Sequence, residues 1–202
     1  MTVIGLCGGS GSGKGTVASM LSDAGFLHID ADAVYHGLTS GDSHCLREIS
    51  DTFGASVISA DGALDRRALA SIVFADDAGD KLALLNSISH RYVLREIRKK
   101  IAENENACPA VVVDAPLLFE SRFNEECDLI VSVIAPRDIR IKRITERDGL
   151  TVSEAERRID SQLDDEFLIA HSDIIINNFG DVSELADQVE NVIKKIKNTI
   201  QI

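Results

Sequence analysis

The chain has 202 residues, 45% of them hydrophobic and 27% charged, a balance that allows one α/β domain with a core large enough to fold unaided. Its formal net charge of −12 argues against non-specific nucleic-acid binding or an anionic membrane surface as partner. No apolar run approaches membrane-spanning length, and the N-terminus passes straight into a strand without a charged-then-apolar leader, so a cytoplasmic location is expected.

The first element is a strand over Thr2–Cys7, followed by Gly8 to Thr16, read GGSGSGKGT, and a helix over Lys14–Asp23. An apolar strand, a glycine-rich turn, a lysine and a helix in that order describe a phosphate-binding loop. Glycines let the backbone curl with its N–H groups inward around an anion. The helix start adds its dipole, and the Lys14 ammonium reaches the outer phosphates as a point charge. Gly8, Gly13 and Lys14 satisfy G-x-x-x-x-G-K, whereas Gly15 stands where the strict pattern has Ser or Thr; Thr16 carries the nearest hydroxyl. The motif predicts nucleoside-triphosphate binding.

Further strands are predicted over Phe26–Ile29, Ala110–Asp114, Leu129–Ile134 and Ile174–Asn177. Val111-Val112-Val113 and Leu129-Ile130-Val131 lack alternation, as strands covered on both faces do. Helical spacing runs from about Asp80 to Glu103 and from about Val182 to Lys197. Strands alternating with amphipathic helices predict a parallel sheet with crossover helices. From about His36 to Asn104 no core strand is evident, so this stretch reads as a helical insertion: a second-substrate holder or a structural cap. The four cysteines Cys7, Cys45, Cys108 and Cys127 form no CxxC pair, and Cys7 and Cys127 are expected to be small buried hydrophobes.

Several side chains are candidates for chemistry. Asp30 and Asp32 follow the second strand; a carboxylate there could take a proton from an attacking hydroxyl or cap the next helix. Asp114 ends the Val111–Val113 run and could orient Mg²⁺ directly or through water, or act as a cap. Arg140, Arg143 and Arg147 fall at i, i+3 and i+7 on one helical face. That face suits phosphate oxygens, or a solvated surface paired with Glu146, Asp148, Glu154 and Glu156. A second basic row is Arg91, Arg95 and Arg98.

Together these segments resemble the dephospho-coenzyme A kinase family nearly end to end. Besides the loop, the resemblance is carried by Ile29-Asp30-Ala31-Asp32, Leu64-Asp65-Arg66-Arg67-Ala68-Leu69, Val73-Phe74 and Leu85-Asn86 with His90. It continues through Asp114-Ala115-Pro116-Leu117-Leu118-Phe119-Glu120, Cys127-Asp128, Arg143, Arg147-Asp148, Gln162 and Asp173 to Asn178. The resemblance implies an α/β P-loop kinase fold: a five-stranded parallel sheet flanked by helices, in one domain. Its core would span about 1–35, 106–138 and 168–202, with a helical substrate-binding insertion over about 36–105 and a lid over about 139–167.

The implied activity is transfer of the ATP γ-phosphate, with Mg²⁺, to the ribose 3′-hydroxyl of dephospho-CoA. Carried over residue by residue, Gly11, Ser12, Gly13, Lys14, Gly15 and Thr16 would wrap the ATP phosphates. Asp32 would be the base at the acceptor hydroxyl, Lys14 would bridge the β and γ phosphates, and Arg143 and Arg147 would belong to the lid. His90 would line the coenzyme side, and Thr16 and Asp114 are the candidates for the metal. Two departures stand out: the Gly-Lys-Gly-Thr ending resembles adenylate or cytidylate kinases, and Arg91 stands where the family usually has Pro. A nucleoside monophosphate kinase and a non-catalytic ATP-binding switch are therefore the competing readings.

Overall fold

The computed structural model describes residues 1–75 and 79–200, the side chains of 199 and 200 excepted. Five strands form one sheet: β1 (Thr2–Cys7), β2 (Leu27–Asp30), β3 (Ala110–Asp114), β4 (Leu129–Ile134) and β5 (Ile174–Asn177), in the order β2-β3-β1-β4-β5. β1 pairs in parallel with β3, from Thr2 opposite Ala110 to Leu6 opposite Asp114. On its other side it pairs with β4, from Ile4 opposite Leu129 to Cys7 opposite Ser132, and β4 pairs with β5. The unalternated apolar run of β3 is buried at every position, as expected for a strand covered on both faces. Four strands fall as predicted from the sequence, and β2 begins one residue later than its apolar run suggested because Phe26 still closes the preceding turn onto Leu21.

The chain divides into two compact units, residues 1–29 with 104–202, and residues 30–103. The first contains the sheet β1–β5 through Ile29 of β2, and α1 (Lys14–Asp23), α6 (Arg137–Asp148), α7 (Val152–Asp160), α8 (Asp165–Ala170) and α9 (Val182–Ile200). Its core joins Ile4, Leu6, Val112, Val131, Val133 and Ile176 of the sheet to Val17 and Leu21 of α1 and to Leu185, Val189 and Val192 of α9. β5 is an edge strand. Its outer backbone groups at Asn177 are met by Gln188 of α9, whose Oε1 accepts from Asn177 N at 2.8 Å while its Nε2 donates to Asn177 O at 2.8 Å.

The second unit is helical, comprising α2 (Ala31–Thr39), α3 (His44–Phe53), α4 (Arg66–Val73) and α5 (Lys81–Glu103). Each start is chemically marked where a cap is seen. Asp30 accepts from the amides of Asp32 and Ala33, Ser43 from Leu46, and Asp65 from Arg67 and Ala68. Cys45, Leu46, Ile49, Val57, Leu69, Val73 and Ile88 form this unit's own core. A single bridge, Ile58 with Leu64, is its one β feature among the described residues.

Cys7 is buried as expected, with its thiol pushed up to about 11 by desolvation. The expectation for Cys127 is corrected: the residue is only half-buried, because it lies in the turn before β4 and not inside the strand, although burial of its thiol still raises the pKa to about 12.

α6 and α7 form a hairpin around Ile144, Ala155 and Ile159, and α7 opens with a capping box between Thr151 and Glu154. Its outside is tied by carboxylates. Asp160 accepts from Arg137 at 2.5 and 3.1 Å, and Asp148 takes both Arg147 and Arg158 at 2.7 Å. Hydrogen bonds from Arg137 and Arg147 hold the Asp160 and Asp148 carboxyls below their ordinary values. A depressed folded-state pKa stabilises above the unfolded value near about 3.9, and that stabilisation is lost as pH falls through the folded one. The melting temperature is therefore expected to fall on acidification below about pH 4, and Asp160→Asn should flatten that fall in a thermal-shift series.

Candidate active site

Residues 8–13 leave the carboxyl end of the central strand β1 and run into α1, whose N-cap is Gly13 in the left-handed region (φ 94°). Gly11 is also left-handed (φ 78°). The space around the loop is as restrictive as its torsions. A Cβ on Gly11 would lie 2.7 Å from the Arg140 carbonyl oxygen, and one on Gly13 would lie 2.0 Å from Asn178 Nδ2. One on Gly9 would sit 2.1 Å from an Arg140 guanidinium nitrogen. Glycine is required here because other elements of the protein close on the loop from outside.

What closes on it fixes which way each peptide group points. Arg140 Nε donates to Ser10 O at 2.9 Å. Arg143 donates to Gly11 O at 3.1 Å and to Ser12 O at 3.4 Å, and Asn178 Nδ2 donates to Ser12 O at 2.7 Å. In a trans peptide the N–H points opposite to the C=O, and the described residues contain no cis bond. Carbonyls of Ser10 and Ser12 held outward thus turn the following amides, of Gly11 and Gly13, inward. Ser12 N is spent within the loop on Gly9 O at 3.0 Å. The side-chain oxygen of Ser12 is buried and has no hydrogen-bond partner among the described residues.

Lys14 forms an ion pair with Asp114 at the end of β3. The register explains the meeting: Asp114 stands level with Leu6, one residue before β1 ends, and Ala115 N continues the ladder to Leu6 O at 3.2 Å. No α-helix follows Asp114 directly, so its carboxylate serves the lysine and not a cap. The other Asp114 oxygen lies 3.9 Å from Nε2 of His28 on β2. Of the Asp30–Asp32 pair, Asp30 takes both capping amides, at 2.8 and 3.1 Å, and Asp32 occupies the exposed first turn of α2.

The three arginines of α6 separate by one helical turn. Arg140 is 4% exposed and Arg143 is half-buried, both against the loop, while Arg147 is exposed and turned to Asp148. In the second unit, His90 is half-buried on α5. There Arg91 pairs with Glu48 at 2.5 Å, and the guanidinium groups of Arg91 and Arg95 lie 5.2 and 4.7 Å from the Tyr92 ring centroid. The second basic row is thus partly engaged by its own helix bundle. Sequence reasoning did not single out His28 or Asp165, nor the loop-holding roles of Asn178 and Gln162, because their partners lie far away along the chain.

The chemistry of the donor set suits a metal–triphosphate ligand. Asp114 and Thr16 offer hard oxygen donors beside the loop, and Mg²⁺ binds through one or two protein oxygens with phosphate and water completing its shell. Among the described residues no group of three or more His, Cys, Asp or Glu side chains could hold a metal ion by itself.

The loop's two kinds of glycine predict opposite responses. Gly11→Ala should destabilise the protein by about 1–3 kcal/mol and abolish nucleotide binding, because the residue is left-handed and faces backbone. Gly15→Ala, where nothing lies within 4 Å of the added carbon, should gain about 0.4–1 kcal/mol. Thermal melts with and without ADP distinguish the two.

With this geometry in place, comparison with known proteins gives a consistent result. A family model described as dephospho-CoA kinase matches residues 2–184. A dephospho-CoA kinase of Corynebacterium glutamicum is 39% identical over 197 residues, covering 97% of this chain and 100% of its own length. One from Carboxydothermus hydrogenoformans is 37% identical, covering 98% of this chain and 95% of its own. Among solved structures, a Thermus thermophilus protein superposes with a TM-score of 0.82 at 28% identity over 96% of both chains. Dephospho-CoA kinase from Campylobacter jejuni superposes with a TM-score of 0.70 at 25% identity over 98% of both. A shikimate kinase from Acinetobacter baumannii, at 16% identity and a TM-score of 0.56, shares the fold alone. The phosphate loop, the parallel sheet that carries it and a match running almost from end to end agree: the chain belongs to the dephospho-CoA kinase family.

Proposed function

We propose that this protein transfers the γ-phosphate of ATP to the ribose 3′-hydroxyl of dephospho-CoA, completing coenzyme A. The observation that carries this reading is the phosphate cradle of residues 8–14, with Lys14 and Asp114 paired beside it, in a chain whose whole length matches that family. Phosphoryl transfer asks little covalent help of a protein; it asks for positioning and for charge neutralisation. The inward amides of Gly11 and Gly13, the start of α1 and the Ser12 hydroxyl bind the anionic tail. On nucleotide binding Lys14 would leave Asp114 for the β and γ oxygens, and Asp114, together with Thr16 directly or through water, would hold Mg²⁺. The metal, when bound, neutralises charge on the β and γ phosphates.

Asp32 is assigned as the base that accepts the 3′-hydroxyl proton. Asp30 already supplies the cap, which supports a reacting role for the second aspartate of the pair. Residues 30–103, with His90 on α5, are assigned to the coenzyme side, and the span of about 139–167 to a lid. Arg140 and Arg143 anchor the near part of that span to the loop. Arg147 must leave Asp148 to meet ATP, so the far end of α6 with α7 is the segment that closes. Closure keeps water from competing as acceptor. Among the described residues no helix is long and apolar enough to cross a membrane, and we assign the activity to the cytoplasm, where ATP is the ready donor.

The test is an acceptor panel with mass analysis of the product. Dephospho-CoA is expected to gain one phosphate in the presence of ATP and Mg²⁺, with CMP, UMP and AMP far poorer acceptors. Equal or better turnover of a monophosphate overturns the assignment in favour of a nucleoside monophosphate kinase, the activity suggested by Gly15. ADP release that no acceptor stimulates would point to a nucleotide-dependent switch. Asp32→Asn should lower turnover by about 10²–10⁴-fold with ADP affinity retained. Lys14→Ala should weaken nucleotide binding whichever acceptor is used. Normal turnover by Asp32→Asn would move the base to Asp30.

A further inference from the structure

We propose that Arg140 is a positioning residue for the phosphate loop, locking the Ser10–Gly11 peptide so that the Gly11 amide faces the triphosphate. It acts through the backbone and does not itself touch the nucleotide. Arg140 belongs to α6 yet is 4% exposed, and all three guanidinium nitrogens are engaged. Nε donates to Ser10 O at 2.9 Å, one terminal nitrogen to Asp165 Oδ1 at 3.3 Å, and the other to Gln162 Oε1 at 3.4 Å. The same Gln162 oxygen accepts from Ser10 N at 2.8 Å. Ser10 is therefore gripped on both sides, by its carbonyl through Arg140 and by its amide through Gln162.

Two adjacent peptide planes are fixed by this arrangement. The Gly9–Ser10 amide is turned toward Gln162, which sends Gly9 O the opposite way, onto Ser12 N at 3.0 Å. The Ser10–Gly11 carbonyl is turned toward Arg140, which sends the Gly11 amide into the curl. The guanidinium also fills the space a Gly9 side chain would need, and the Arg140 backbone does the same for Gly11. Burial pulls the guanidinium pKa below its usual value and Asp165 opposes that pull; the group stays charged regardless, and the carboxylate serves to place the fork. A flat fork with several fixed donors can make these contacts at once, whereas a lysine ammonium cannot.

The inference rests on the loop being the ATP site, so its test starts with the native protein. Native chain titrated with ADP and Mg²⁺ by calorimetry must bind; failure there overturns the site assignment. Given native binding, Arg140→Ala is expected to weaken ADP about tenfold, the cost of a charge-assisted bond. The KM for dephospho-CoA should stay unchanged. Guanidinium ion added to Arg140→Ala should recover part of the ADP affinity, and the same ion should do nothing for Lys14→Ala. Asp165→Asn, at a more exposed position, is expected to weaken ADP by a smaller factor, and that factor should vanish in the Arg140→Ala background. Should Arg140→Ala fail to fold, Asp165→Asn and Arg140→Lys decide: both weaken ADP if the clamp is real. Native-like ADP affinity in these variants, a loss that guanidinium leaves untouched, or independent effects of the Arg140 and Asp165 changes would overturn the inference.

Discussion

The geometry of this protein turns on one constraint: a short stretch of backbone must present its amides to an anion while its carbonyls, equally polar, find partners elsewhere. A six-residue loop has no ladder of its own to satisfy those oxygens. Here side chains from two distant parts of the chain do it, Arg140 and Arg143 from α6 and Asn178 after β5, while Gln162, between α7 and α8, accepts from the Ser10 amide. Each is held by the first unit's own packing, and Asn178 in turn donates its backbone N–H to Ile134 O at the end of β4. The sheet is therefore the reference frame against which the loop is aimed.

The register of β1 and β3 places a second constraint on the same end of the sheet. Because Asp114 lies level with Leu6, its carboxylate reaches the lysine that follows the loop. A chain with a net charge of −12 faces an obvious difficulty in attracting a triphosphate. The structure answers it locally: Lys14, Arg140 and Arg143 gather at the loop. Pairing Lys14 with Asp114 keeps an otherwise half-buried ammonium satisfied until a stronger anion arrives.

Much of this fold was legible because its strands are short apolar runs without alternation, and β1, β3, β4 and β5 begin and end where those runs do. The glycine loop was legible for a related reason: its local composition is what permits the curl. What could not be read were the partners. Asn178 and Ser12 stand 166 residues apart, and only the parallel sheet brings them within a hydrogen bond. Periodicity put Arg140, Arg143 and Arg147 on one face, yet a face has length, and the last of them falls a turn beyond the loop and onto Asp148. Asp30 and Asp32 looked equivalent in sequence; the cap distances separate them. His28 gave no signal because a lone histidine in a strand has no pattern to betray its neighbour.

The Gln188 contact on β5 bears on how the molecule behaves in company. A parallel sheet ends in a row of unspent donors and acceptors that any other extended chain can zip onto. By folding its amide back over Asn177, Gln188 supplies a false neighbour at the last rung, one that occupies both groups and cannot itself be extended. Growth of the sheet from one copy into the next is thereby blocked at the rung closest to the nucleotide loop, which keeps that end clear for small molecules.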